Sequence, residues 1–231
     1  PKHVSIIMDG NRRFAWNKNS KKELGHAEGK EKLKEVMDWV LDLGVPYFTV
    51  YALSTENISE RDSEELEILY DLYVSGLDEI SVDPRIHDRG VKVQVVGRLD
   101  MLPPRVRESI ENAEKLTSQY SDFTFTVCLA YGGREEIVDA VKSVATDYAS
   151  GALDIDSINS SEITKRMYAA ELPDPDLVIR TSGEERISNF LLWQIAYSEL
   201  HFTDVFWPSF SKSDLYEAIE SYQYRRRRYG E

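Results

Sequence analysis

Cysteine is nearly absent from this chain of 231 residues, with Cys128 the sole example. That excludes a disulfide framework and a cysteine-built metal site, and it fits a reducing compartment. Long apolar runs are missing too. No stretch approaches the length of a membrane span and none has the build of a signal peptide, so the expected location is the cytoplasm. Positive charge is scarce: 28 Lys and Arg stand against 41 Asp and Glu, a formal net charge of −13, which argues against non-specific nucleic-acid binding. The nucleotide fingerprints are lacking, with neither G-x-x-x-x-G-K-[ST] nor G-x-G-x-x-G after the first strand. No repeat, low-complexity tract or linker divides the chain, so residues 1–231 read as one domain, long enough to bury a real core.

What is present alternates. Apolar runs at 4–8, 47–53, 91–96, 123–131 and 177–179 read as strands. Helical spacing follows them: Leu33, Val36, Met37, Val40 and Leu43, then Leu66, Leu69, Tyr73, Leu77 and Ile80, then Ile137, Val138, Val141, Val144 and Ala145. Asp62 and Glu65 form a capping box for the second of these. The pattern predicts an α/β fold: a single domain with a mostly parallel central sheet of about six strands, flanked by helices through right-handed crossovers. Residues 190–197 are apolar on nearly every side and predict a buried helix capped by Ser188 or Asn189, with a further strand-like run at 202–207. The last helix, 213–228, ends in an arginine run that by itself reads as a solvated terminus.

Chemistry gathers where strands stop. The first apolar run ends in Asp9-Gly10-Asn11-Arg12-Arg13-Phe14, and ligands of open α/β sheets bind beyond the carboxyl ends of strands. A carboxylate there can hold a hard divalent cation, arginines grip phosphate oxygens bidentately, and Gly10 lets the backbone approach a ligand. A polar, lysine-rich loop at 17–22 leads to Leu24-Gly25-His26-Ala27-Glu28-Gly29. Two glycines weaken a helix start, and they fit a place where an anion comes close to free N–H groups, with His26 as an added donor. The 47–53 run ends in Ser54-Thr55-Glu56-Asn57, and the 177–179 run ends in Arg180, followed by Arg186, Ser188 and Asn189 across a glycine-containing loop. Two arginine-bearing strand ends imply two anionic groups bound side by side, and the cations suit diphosphates. Asp9 and Glu199, at the edges of the two anion sites, are the expected metal ligands.

Taken together, Met8-Asp9-Gly10-Asn11-Arg12-Arg13-Phe14-Ala15, Gly25-His26-x-x-Gly29, Ser54-x-Glu56-Asn57, Tyr131-Gly132-Gly133-Arg134, the run from Asp176 to Gln194, Tyr197-x-Glu199-Leu200 and Arg228-x-Gly230 resemble the cis-prenyltransferases, of the undecaprenyl and dehydrodolichyl diphosphate synthase type. The motifs occur in family order and span essentially the whole chain. The resemblance implies repeated condensation of isopentenyl diphosphate onto an allylic diphosphate primer, with a new cis double bond each time, giving a long polyprenyl diphosphate that serves as a glycosyl carrier lipid precursor. It implies Mg2+ held by Asp9 and Glu199. Asp9 and Asn11 carry the chemistry, Asn11 by helping to remove the proton from isopentenyl diphosphate. Gly10, Asn11, Arg12, Arg13, Lys22 and His26 surround the allylic diphosphate, and Phe14 lies beside the allylic chain. Arg180, Arg186 and Ser188 clamp isopentenyl diphosphate, Ser54 and Asn57 sit between the substrates, and Glu56 is a further substrate-binding residue. Arg228 and Gly230 reach a partner's site, which implies a homodimer or a heteromer with a related subunit. Release of the product implies transient association with a membrane.

The resemblance also implies a hydrophobic tunnel, with Ala52, Leu53, Leu69, Tyr73, Val93, Val95 and Val127 as wall residues. Some positions depart from the family pattern: Lys22 stands where many members have arginine, Ile58-Ser59-Glu60-Arg61 replaces a tryptophan and an Arg-Pro pair, and Ser182 replaces a common glycine. These point to an altered primer preference. A phosphohydrolase of the haloacid-dehalogenase type also opens on strand–Asp–Gly, but it needs a second aspartate two residues on, where Asn11 stands.

Overall fold

The computed structural model describes residues 1–225. In chain order the elements are β1 (His3–Ile7), α1 (Asn11–Asn17), α2 (Lys22–Asp42), β2 (Tyr47–Tyr51), α3 (Thr55–Glu60), α4 (Ser63–Val82), α5 (Pro84–Asp88), β3 (Val91–Val96), α6 (Pro104–Thr117), β4 (Phe123–Cys128), α7 (Gly133–Ala149), α8 (Ser160–Thr164), β5 (Leu177–Arg180), β6 (Glu199–Phe202) and α9 (Lys212–Tyr224). The strands form one six-stranded sheet in the order β3-β4-β2-β1-β5-β6, parallel at every pairing. This is the α/β architecture that the alternation predicts.

The sheet is buried on both faces, so every residue of β1 is buried: four are apolar or small, and the ring of His3 is hydrogen-bonded to the Pro173 carbonyl and Thr49. Side chains alternate between two cores. Val4 and Ile6 join Val50, Phe125 and the helices α2, α4 and α6 on one face. Ile7, Tyr51, Cys128 and Val178 meet Tyr131 and Phe190 on the other, where Tyr51 stacks on Phe190 with ring centroids 4.7 Å apart. The chain passes from β1 to β2, crosses to β3 at the edge, fills the gap with β4, then returns to lay β5 on the opposite side of β1. The strand order reverses beside β1, which places a crevice at the carboxyl ends of β1 and β5.

The last third differs from the periodicity. No helix forms over 190–197; the segment is a series of turns. The backbone takes left-handed values at Ser188, Asn189 and Leu191 (φ 48°, 62° and 44°), and a right-handed helix cannot pass through them. Asn189 caps α7 instead: its Oδ1 accepts from the Arg134 N–H at 2.8 Å, and its carbonyl accepts from the Gly133 N–H at 2.7 Å. The strand-like run at 202–207 is likewise displaced, since β6 is Glu199–Phe202. Among the described residues no helix is long and apolar enough to cross a membrane.

Candidate active site

Asp9 stands two residues beyond β1, and strand pairing sets Ile7 opposite Arg180. The two charges therefore meet: Arg180 Nη2 donates to Asp9 Oδ2 at 2.8 Å. Arg180 is 5 % exposed, and its guanidinium also donates to Ser188 Oγ at 2.7 Å and to the Arg186 carbonyl. Thr181 Oγ1 fixes the Asp9 backbone, accepting from its N–H at 2.9 Å and donating to its carbonyl at 2.7 Å. Burial alone would raise the Asp9 carboxyl, but the Arg180 hydrogen bond and the charges of Arg180 and Arg13 hold it below the usual carboxylate range. Asp9 is ionised at neutral pH, and its side chain is 31 % exposed.

Gly10 turns the chain with φ 106°, and a Cβ there would meet Phe206 and Ser182 at 2.9 Å. The turn starts α1, a helix that the strand-and-turn reading of this motif missed. The glycines at 25 and 29 lie inside α2, which begins at Lys22. They do not open an anion site at a helix start. Instead they make room for Asn11: a Cβ on Gly25 would fall 2.1 Å from the Asn11 carbonyl, and one on Gly29 2.4 Å from Asn11 Oδ1. That Oδ1 is buried with no hydrogen-bond partner among the described residues, as is Arg180 Nε.

A second cationic group surrounds Glu65, whose side chain is 2 % exposed. Arg12 donates to its two oxygens at 2.8 and 2.6 Å, Lys22 donates at 3.1 Å, His26 Nε2 lies 3.3 Å away, and Arg61 also donates to it. Burial would raise the Glu65 carboxyl, yet hydrogen bonds from Arg12 and Lys22 and the charge of Arg61 bring it down to about 2. His26 shifts below its ordinary value through burial and the charge of Arg61, so it is neutral at pH 7. Only half of the expected capping box forms. Asp62 Oδ1 accepts from the Glu65 N–H at 2.8 Å, while the Glu65 carboxylate turns to the cations. The sequence motifs do not mark Arg61 and Glu65 as site residues; a cation four residues before a carboxylate at a helix start is the available signal.

Between the two groups, Arg13 donates to Ser182 Oγ at 2.6 Å, to the Ser182 carbonyl at 3.2 Å and to Glu184 at 3.2 Å. Ser54 caps α3 by accepting from the Asn57 N–H at 3.0 Å, and Asn57 Oδ1 accepts from Arg61 at 3.3 Å. Glu56 accepts from Asn189 at 2.8 Å. Arg186 is exposed and pairs with Glu184. Phe14 is buried beneath Lys18, whose Nζ is 4.1 Å from the ring centroid, and it does not line the cavity described next.

A cavity of ≈ 690 Å³ opens from Asp9, Asn11, Arg180, Arg186 and Ser188 and runs between α2, α4 and the sheet. Of the expected wall residues, Ala52, Leu53, Leu69, Tyr73 and Val127 line it, whereas Val93 and Val95 are core residues behind it. The structure does not bring Glu199 to Asp9. Glu199 begins β6 opposite Leu177, about 10 Å down the strand from the level of Arg180, and its carboxylate accepts from Arg225 at 2.7 Å. The expected pair of metal-binding carboxylates is therefore not assembled within one chain. Among the described residues no cluster of three or more His, Cys, Asp or Glu could hold a metal. Arg228 and Gly230 lie outside the described residues.

Residues 7–230 match the family described as "Putative undecaprenyl diphosphate synthase". The chain is 53 % identical over 230 residues to the tritrans,polycis-undecaprenyl-diphosphate synthase (geranylgeranyl-diphosphate specific) of Methanopyrus kandleri, covering 100 % of this chain and 84 % of that protein. To the Pyrococcus horikoshii protein of the same description it is 49 % identical, covering 100 % and 87 %. Among solved structures it is similar to lavandulyl diphosphate synthase from Lavandula x intermedia in complex with dimethylallyl diphosphate, with TM-score 0.94, 32 % identity and 100 % and 98 % of the chains covered. A probable undecaprenyl diphosphate synthase from Campylobacter jejuni is also similar, with TM-score 0.80, 28 % identity and the same coverage. With a cationic mouth over a cavity lined in part by apolar side chains, and with these relatives, the chain belongs to the undecaprenyl diphosphate synthase family of cis-prenyltransferases.

Proposed function

We propose that this chain condenses isopentenyl diphosphate repeatedly onto geranylgeranyl diphosphate, making a long Z-polyprenyl diphosphate used as a glycosyl carrier lipid precursor. The primer is taken from the description of the archaeal relatives. One observation carries the reading: Asp9 and Arg180, 2.8 Å apart, stand at the mouth of the apolar cavity. The allylic diphosphate lies toward Arg12, Arg13, Lys22, His26 and Arg61, and isopentenyl diphosphate toward Arg180, Arg186 and Ser188. In each cycle the allylic C–O bond breaks with its electron pair leaving on the diphosphate. A C–C bond forms to isopentenyl diphosphate, which then loses a proton.

Asp9 fits Mg2+, because Mg2+ is held by one or two carboxylates plus substrate phosphates and this carboxylate is ionised and open to the cavity. When bound, the ion neutralises the departing diphosphate. Arg180 orients Asp9 as well as holding its own anion. The unpartnered Oδ1 of Asn11 accepts a hydrogen bond at the site of proton loss, and the released diphosphate is the base strong enough to keep that proton. Neutral His26 has a single N–H, which Nε2 gives to the Glu65 carboxylate, so it helps to fix the cations around the primer diphosphate.

Burial of the growing tail, at about 0.8 kcal/mol per methylene, dominates product affinity. Turnover is therefore limited by product release, which detergent or a membrane surface speeds. A homodimer is part of the proposal. It is supported by an exposed apolar stripe on α7, where Val138, Val141 and Tyr148 are 47 %, 51 % and 52 % exposed among the described residues. Sedimentation of the wild type and of Val141→Asp tests it, with a monomeric variant expected. The activity is tested with purified protein, Mg2+, labelled isopentenyl diphosphate and a panel of allylic primers, followed by chain-length analysis. Elongation is expected, most efficiently from geranylgeranyl diphosphate. Phosphate released from simple monoesters with no carbon–carbon bond formed would overturn the reading in favour of a hydrolase.

A further inference from the structure

Where α3 meets the start of α7, one amide holds two carboxylates. Asn189 Nδ2 donates to Glu56 Oε1 at 2.8 Å and to Glu135 Oε2 at 3.0 Å. Its Oδ1 faces the other way and accepts from the Arg134 N–H at 2.8 Å. The amide fits only this way round, because the reverse would set its oxygen against two carboxylates. Both of its N–H groups are thereby used, and none is left for a substrate. The space is made by a missing side chain: a Cβ on Gly132 would collide with Glu135 Oε2 and fall 2.8 Å from Asn189 Nδ2. Burial would raise the Glu56 carboxyl, but its own backbone N–H and the Asn189 amide hold it below its ordinary value, so it is ionised at neutral pH.

The residue before the amide is Ser188, whose Oγ accepts from Arg180 at 2.7 Å. Ser188 and Asn189 both take left-handed backbone, with φ 48° and 62°, a conformation that residues with a side chain adopt at a cost. Left alone, such a pair relaxes toward ordinary φ values, and rotation there swings the serine hydroxyl off the guanidinium. Residue 189 opposes that relaxation. Its side chain grips α3 and α7, and its carbonyl accepts from the Gly133 N–H at 2.7 Å. A carboxylate repels a diphosphate, so Glu56 and Glu135 act on the loop rather than on the substrate.

We infer that Asn189, gripped by Glu56 and Glu135, is a positioning residue for the isopentenyl diphosphate site. It pins the strained 188–189 backbone so that Ser188 and Arg180 stay aligned for one anion. This rests on the isopentenyl diphosphate clamp proposed above. Arg12, Lys22, His26 and Arg61, the cations of the primer region, make no hydrogen bond to these three side chains among the described residues. Loosening the amide therefore affects one substrate and spares the other.

Three variants separate backbone from side chain. Asn189→Gly takes φ 62° without penalty but holds nothing. Glu135→Ala removes one of the two grips, and Glu135→Gln keeps an oxygen that accepts from Asn189 Nδ2. Each is measured by calorimetric binding of isopentenyl diphosphate with Mg2+, and by KM for both substrates during elongation of geranylgeranyl diphosphate. Asn189→Gly should weaken isopentenyl diphosphate roughly tenfold or more, with KM for the primer changed by at most about threefold. Glu135→Ala should weaken it less, and Glu135→Gln should recover most of that loss. Should Asn189→Gly fail to fold, the Glu135 pair decides, since it leaves the α7 cap in place. Wild-type affinity in Asn189→Gly, or equal losses for both substrates, would overturn the inference. So would a Glu135→Gln variant as weak as Glu135→Ala. If the wild type binds isopentenyl diphosphate but elongates no primer, the activity proposed above falls, and the binding constants still decide whether Asn189 positions the site.

Discussion

Two cationic regions face the same cavity mouth, and they hold their charges differently. At the β5 end a single buried guanidinium, Arg180, is shared among a carboxylate, a hydroxyl and a backbone carbonyl. At the α2–α4 end one buried carboxylate, Glu65, is shared among Arg12, Lys22, His26 and Arg61. The first is a rigid donor fixed by strand register, suited to one anion in one orientation. The second is a group of several donors, Arg12 and Lys22 the most exposed of them, gathered by a counter-ion and suited to an anion that must arrive, react and depart. Arg12 is 42 % exposed and Arg180 6 % by side chain, so the cost of losing either is expected to differ in kind.

The largest effect should come from Asp9, which serves the chemistry and also orients Arg180. Asp9→Ala is expected to lower turnover at least about a hundredfold, as for loss of a preorganised electrostatic group, with primer binding largely kept because the Glu65 group remains. Unchanged kcat would remove Asp9 from the reaction. Next is Arg180→Lys, which exchanges a fork with several partners for a point charge. Hydrogen bonds to charged groups contribute about 1.5–3 kcal/mol, so KM for isopentenyl diphosphate should rise roughly ten- to a hundredfold and KM for the primer far less. Equal losses for the two substrates would merge the two regions into one.

The legible part of this molecule was what strand ends dictate. Val4 to Met8 stopping at Asp9, and Leu177 to Ile179 stopping at Arg180, placed both charges correctly, because a parallel sheet aligns the carboxyl ends of its strands. Residues 190–197 were illegible for a backbone reason. Their apolar pattern fits a helix, but Ser188, Asn189 and Leu191 take left-handed conformations that side-chain periodicity does not record. Val138 and Val141 share that lesson from the other side: their helix is real, yet that part of its apolar face is exposed. Glu65 was read as a cap because its local spacing fits one, and its partners on α1 and α2 are far away in sequence. Glu199 follows a family motif, but its position in β6 depends on register, which the motif does not carry.

A smaller effect separates the two regions by pH. The Glu65 carboxyl is held at about 2 against an ordinary 4.5. A depressed carboxylate stabilises the fold above its unfolded value, and that contribution is lost as pH falls through the folded one. Glu65→Gln leaves its cations without their counter-ion, at a cost of about 1–3 kcal/mol at neutral pH. Its melting temperature should therefore lie several degrees below wild type at pH 7, with the gap closing between about pH 4.5 and pH 2. A gap that stays constant with pH would mean that Glu65 acts through packing alone.

The smallest expected change tests where the regions touch. Ser182 occupies a left-handed position with φ 78°, where glycine carries no penalty and another residue costs about 1–2 kcal/mol. Its hydroxyl offsets that strain by accepting from Arg13 at 2.6 Å. Ser182→Gly relieves the strain and removes the acceptor, two terms of similar size and opposite sign. The melting temperature should move by no more than a few degrees, and Arg13 keeps the carbonyl of residue 182 and Glu184 as partners. A primer KM changed by at most about threefold, roughly 0.7 kcal/mol, is the outcome if Arg13 belongs to the adaptable region. A loss beyond tenfold would place Arg13 with Arg180 among the rigidly fixed donors, and the boundary between the two regions would move to the far side of α1.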